Sequence, residues 1–225
     1  MSPDVVRFGA VGRLFTSFDE AWRYFIGRAE PLEWFFGQFS EDEALVAEGW
    51  VFVPPSEIKQ AALEVQGAFA SLKWVAPVPE HFLHVWLGFA TSAGGWPHEL
   101  RHSGAFDAMY RRVNCFHSAV VVEVEAPQLR ELTAGTQVDA STFLPHMTIG
   151  VTREEHDPRE LRTALLPLRN AELGGGKVAE LIRIRFPAAQ TTLLQPWTVI
   201  ESVPLSQNGS WSESGRSIGL DPPAI

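Results

Sequence analysis

The sequence predicts an α+β protein built as two similar lobes facing a shared cleft, and three observations point that way. Two short segments match, His84-Val85-Trp86-Leu87-Gly88-Phe89 and His146-Met147-Thr148-Ile149-Gly150-Val151. Both read His, apolar, variable, apolar, Gly, apolar. Each also follows an earlier strand and helix, the order that a duplicated unit requires. Finally, 225 residues of which 45% are hydrophobic can bury a sizeable core, as one large domain or as two lobes.

The first 48 residues read as a helical, acidic extension. Ser17-Phe18-Asp19-Glu20 and Ser40-Glu41-Asp42-Glu43 place an acid three residues after serine, the spacing that satisfies free amides at a helix start. Nine acidic side chains face four arginines there. Trp22, Phe25, Ile26, Trp34, Phe35, Phe36 and Phe39 are too many large apolar groups for a free surface, so the extension is expected to dock on the main body; a partner-binding surface is the other reading.

The main domain is placed at residues 49–205. Trp50-Val51-Phe52-Val53 is a buried strand ended by Pro54-Pro55, and Ile58, Ala62, Val65 and Phe69 then recur at helical spacing over 56–70. Leu72-Lys73-Trp74-Val75 opens an extended stretch that leads, past Pro77-Val78-Pro79, into a strand from His81 to Phe89. Its alternation separates Val85, Leu87 and Phe89 from His84, Trp86 and Gly88. In the second half, 119–124 is a β-branched strand, 127–132 a short helix and 144–151 a strand that sets His146, Thr148 and Gly150 on one side. Asp157-Pro158-Arg159-Glu160 starts a helix with a capping Asp and Pro in the first position. Gly174-Gly175-Gly176 is expected to break the chain, 177–186 and 192–203 to be closing strands, and 206–225, rich in Ser, Gly, Asn and Pro, to be a disordered tail.

These segments resemble the two-histidine (2H) phosphoesterases, most closely their 2′-5′ RNA ligase and cyclic phosphodiesterase branch. The resemblance spans about residues 49–205 and rests on Trp50-Val51-Phe52-Val53-Pro54, on Leu72-Lys73-Trp74-Val75 leading to His84, and on Phe143-Leu144-Pro145-His146-Met147-Thr148-Ile149. In that family each motif is His, any residue, then Thr or Ser. The resemblance implies two pseudo-symmetric lobes of mostly antiparallel strands with outer helices around a central cleft, His84 and His146 as the catalytic pair, and Thr148 as a phosphate-binding hydroxyl. It further implies metal-independent phosphodiester chemistry on 2′,3′-cyclic or 2′-5′-linked nucleotide or RNA ends, without a cofactor.

The residue types suit that chemistry independently. Opening a cyclic phosphodiester needs a base to activate water and an acid to protonate the leaving oxygen, and imidazole can serve as either near neutrality. A threonine hydroxyl two residues beyond His146 can donate to a nonbridging oxygen as charge builds there. The first motif departs from the pattern: Trp86 stands where the hydroxyl belongs. An oxyanion donor is worth about 3 kcal/mol, so its loss slows an enzyme without abolishing an activity carried by two histidines. The indole could donate instead, contact a base or fill the cleft, or leave a site that binds nucleotide or RNA ends without turnover, with Trp86 as a stacking platform. Lys73, Arg153, Arg183 and Arg185 are candidate phosphate cations that the sequence does not rank.

His98-Glu99-Leu100-Arg101-His102 fits the H-E-x-x-H pattern of zinc hydrolases. Its flanks, Gly94-Gly95, Pro97 and Gly104, lack the periodicity of a buried helix, so a polar loop is the expected reading. The net charge of −9 argues against a long nucleic-acid duplex as partner, while leaving room for a small anionic ligand. No apolar run is long enough to span a bilayer, no secretory signal opens the chain, and the single Cys115 allows no internal disulfide, which together suggest the cytoplasm.

Overall fold

The described residues form nine strands that join in one antiparallel sheet. In the computed structural model the described residues are 15–26, 46–90, 104–116, 119–129, 143–152, 157–187 and 197–205. In chain order they form helix α1 (Phe18–Ile26), β1 (Val46–Phe52), α2 (Ser56–Gly67), β2 (Val75–Pro77), β3 (Val85–Phe89), β4 (Phe106–Phe116), β5 (Ala119–Glu125), β6 (His146–Thr152), α3 (Pro158–Leu165), β7 (Glu172–Val178), β8 (Glu180–Pro187) and β9 (Thr198–Pro204).

The sheet order is β7-β4-β5-β6-β3-β1-β8-β9, with β2 paired to β6 off this path. Four strands lie on each side of its middle: β3 and β6 meet at the centre, β1 and β5 flank them, and β9 and β7 close the edges. The irregularities repeat as well. β1 shifts register against β3 at Trp50/Val51, and β5 shifts against β6 at Val120/Val121. A bulge turns the strand locally and adds twist, and each half carries such an irregularity beside the central pair.

One face of this sheet carries the main core, with Phe52, Val85, Leu87, Val122, Met147 and Ile149 buried. α2 lays Ile58, Ala62 and Gln66 on it, four residues apart along one helix face. α3 adds Leu161 and Leu165, and Asp157 caps it by accepting from the Arg159 amide at 2.9 Å. Gln66 is the one polar residue of the α2 stripe, and its amide donates to the carbonyls of Val78 and Ile149, both at 2.8 Å. It therefore ties the chain entering β3 to β6 at the middle of the sheet.

Four expectations need adjustment. The glycine run at 174–176 does not break the chain but lies inside edge strand β7, where Gly176 leaves room for Pro55 and Gly175 for Met109. His81 belongs to a 3-10 turn, Glu80–Phe82, rather than to the strand. β1 begins at Val46, three residues ahead of the assigned domain start, and β4 is a long strand that the sequence did not announce. The first acidic helix is α1; the second, capped at Ser40, lies outside the described residues, as do 206–225 and residues 130–132 of the helix expected over 127–132.

α1 docks as its aromatic content suggested. Phe15, Ala21 and Phe25 form a small cluster with Tyr24, Phe116 and Leu144. Among the described residues no helix is long and apolar enough to cross a membrane.

Candidate active site

The two histidine segments meet at the centre of the sheet. β3 and β6 run antiparallel with Val85 opposite Met147, both fully buried in the main core. Side chains alternate along a strand, so His84, Trp86, His146 and Thr148 occupy the other face.

Both imidazoles are fixed in the same way. Nδ1 of His84 lies 2.7 Å from the carbonyl of Phe82, and Nδ1 of His146 lies 2.6 Å from the carbonyl of Leu144. A carbonyl only accepts, so Nδ1 carries the proton and Nε2 keeps its lone pair in the neutral ring. His84 is buried and His146 partly so. Burial pushes His84 down to about 4; its bond to Phe82 opposes this, and a charge on His146 would add to it. Burial also lowers His146, against its bond to Leu144. Near neutral pH the free site thus presents two uncharged rings, each with an open Nε2.

Thr148 is partly exposed beside them, and its hydroxyl has no hydrogen-bond partner among the described residues. Trp86 is turned toward the first lobe. Its six-membered ring lies over Gly49, so close that a methyl there would fall 1.9 Å from Cη2, and it meets Phe186 edge-on with centroids 5.3 Å apart. It belongs to a small cluster with Val51, Ile182, Ile184, Phe186 and Trp197. Gly49 is what allows an indole to lie where the second motif has a threonine.

Two aromatic residues went unread in the sequence. Trp197, just before β9, stands edge-on to His84 with centroids 4.6 Å apart, and Phe116, the last residue of β4, does the same to His146 at 4.8 Å. Each imidazole therefore lies beside the small aromatic cluster of its own lobe. Only the position of these residues at a strand end, in the half holding the nearer motif, could have signalled them.

Beside His146 in register is Glu123, whose side chain is fully buried. Arg169 donates to Oε1 and Arg112 lies 2.5 Å from Oε2. Asn114 donates to Oε1 at 2.9 Å, and Asp19 of α1 accepts from Arg169 at 2.6 Å. A buried carboxylate needs such partners, and the two arginines are consumed by it.

Of the candidate cations, Arg183 and Arg185 both donate to Glu48, at 2.5 and 2.6 Å, on the face that Trp50 shares and away from the histidines. Lys73 is exposed in the turn before β2, and Arg153 lies outside the described residues. The His98, Glu99 and His102 segment also lies outside them, and no group of three potential metal ligands occurs among the described residues.

No protein-family model and no curated protein matches the sequence. Solved structures do. TT0787 of Thermus thermophilus aligns with a TM-score of 0.54 and 20% identity over 71% of this chain and 97% of its own. E. coli LigT complexed with ATP gives 0.51 and 19% over 72% and 98%. A structure described as a phosphoesterase gives 0.51 and 19% over 72% and 98%. The chain has the fold of these proteins, an α+β fold dominated by an antiparallel sheet.

Proposed function

We propose that this chain is a metal-independent phosphodiesterase acting on 2′,3′-cyclic or 2′-5′-linked nucleotide or RNA ends, with His84 and His146 as its acid–base pair. The observation that carries this reading is the matched locking of both Nδ1 atoms to local carbonyls, which leaves two Nε2 atoms on adjacent central strands. In hydrolysis, one Nε2 takes a proton from water as its oxygen bonds to phosphorus. The other, protonated, gives its proton to the ribose oxygen as the P–O bond breaks. Thr148 donates to a nonbridging oxygen.

One ring must be charged and one neutral. Both are neutral in the empty site, so the phosphate's negative charge supplies the bias that protonates one of them. Binding of a cyclic phosphate at pH 7 therefore takes up protons, measurable by calorimetry in buffers of different ionisation enthalpy. LigT has been crystallised with phosphate and with 3′-AMP, which suits a small phosphorylated ligand here.

The test is incubation of purified protein with 2′,3′-cyclic nucleotides and 2′-5′ dinucleotides, with and without chelator. Hydrolysis that survives chelator and is lost in both His84→Ala and His146→Ala supports the reading. Tight binding with no turnover would instead favour a nucleotide- or RNA-end-binding module, the alternative that Trp86 in place of a hydroxyl keeps in view. Chelator-sensitive peptidase activity would move the function to His98, Glu99 and His102.

A further inference from the structure

The imidazoles are held by local carbonyls at Nδ1 alone, which fixes one ring atom and leaves rotation to be stopped by something else. On each side an aromatic ring does this. Trp197 meets His84 at an interplanar angle of 69° and Phe116 meets His146 at 75°, contacts that look alike although the rings come from unrelated segments. Neither aromatic is isolated. Trp197 is also edge-on to Phe82, the residue whose carbonyl holds His84. Phe116 and Leu144, whose carbonyl holds His146, both pack against the Phe15, Ala21 and Phe25 cluster of α1. Trp197 thus touches both an imidazole and the residue that orients it, and Phe116 touches His146 and shares a cluster with the residue that orients it.

On the His146 side the support continues into the N-terminal extension. Phe18 stacks on Phe116 with centroids 6.1 Å apart, and buried Asn114, two residues before Phe116, donates to the Phe18 carbonyl at 2.9 Å. Asp19 and Arg169 pin the same helix. We propose that Phe116 and Trp197 are positioning residues that hold the two imidazoles in register with the cleft, and that α1 braces Phe116 through Phe18. This rests on the acid–base reading above for its effect on rate, though not for its effect on the rings. The same aromatics keep water from the imidazoles and so sustain their neutrality. The charged or titratable groups nearby are His146 and the turn residues Glu80 and His81 for His84. For His146 they are His84, Glu123 with Arg112 and Arg169, and Asp19 on α1.

The experiment follows the two histidines by NMR titration in the full-length protein. Phe116→Ala is expected to raise the titration midpoint of His146 and leave that of His84 in place; Trp197→Ala does the reverse. Phe18→Ala gives a smaller rise at His146 alone. In parallel, kcat on a 2′,3′-cyclic nucleotide falls about ten- to hundredfold with KM changed by no more than about twofold, as misplacement of a reacting group predicts. Phe116→Leu and Trp197→Phe, which keep bulk, recover most of both readouts and guard against mere unfolding. Unmoved midpoints with a raised KM would overturn the proposal by making the rings substrate contacts, and an equal shift of both histidines in every variant would overturn it as general loosening. Should the wild-type protein show no hydrolysis, the proposed function fails, while the midpoints still decide the positioning role.

Discussion

Gly49→Ala tests the placement of Trp86, the residue on which the first motif departs from the second. A methyl at Gly49 would lie 1.9, 2.4 and 2.7 Å from Cη2, Cζ3 and Cζ2 of that indole. Carbon atoms in good contact sit about 3.5–4.0 Å apart, so the ring would have to retreat by well over an ångström. It is rigid and already edge-on to Phe186, within a buried cluster that includes Val51 and Ile184. Overpacking of this kind costs about 1–3 kcal/mol. In a chain of 225 residues each kcal/mol lowers Tm by about 2–4 °C, so a drop of about 2–12 °C is expected. Thermal unfolding of wild type, Gly49→Ala, Trp86→Ala and the double variant forms a cycle. In the Trp86→Ala background the extra methyl no longer meets the indole and its cost is expected to fall away. An equal drop in both backgrounds, or none in either, would show that the indole does not rest on Gly49.

Thr148→Ala should lower kcat about a hundredfold or more while the unfolding midpoint stays within about 1 °C, measured by steady-state hydrolysis and calorimetry. Trp86→Thr restores the hydroxyl to the first motif and should raise kcat despite losing about 3–5 kcal/mol of packing, followed by turnover and urea unfolding together. Glu123→Gln leaves Arg112 and Arg169 facing a neutral group inside the protein and should cost about 3–5 kcal/mol in urea unfolding. Because His84 is held at about 4 when folded, against about 6.5 unfolded, the unfolded chain binds the proton first as pH falls. Stability is therefore full above about 6.5, declines between about 6.5 and 4 by about 3 kcal/mol, and levels off below; His84→Phe should flatten that decline.

The strands that carry alternating or β-branched residues were legible one by one: β5 and β6 sit where their patterns put them, β1 and β3 overlap theirs with shifted starts, and Asp157-Pro158 marked α3. β4 was not legible because its alternation is interrupted at Arg111-Arg112, where Arg112 takes a positive φ of 57° and the register against β5 shifts. The glycines of β7 read as a break because a lone segment shows only missing side chains; the strand exists because neighbours fill the space above it. The meeting of His84 with His146 followed from likeness between two motifs, whereas the rings beside them depend on long-range packing that no local pattern encodes. Arg183 and Arg185 share a face, as their spacing said, but only the pairing of β1 with β8 reveals Glu48 between them.

Each imidazole is bonded to a carbonyl only two residues earlier in its own chain segment. The choice of proton-bearing nitrogen is therefore written into a short stretch of sequence and needs nothing from the opposite lobe. Each half orients its own proton donor or acceptor, although only the second motif adds a hydroxyl, at Thr148, where the first has Trp86. On the proposed acid–base reading, with one such ring on either side of phosphorus, either can give or take the proton, and direction passes to the supply of water and of free ends.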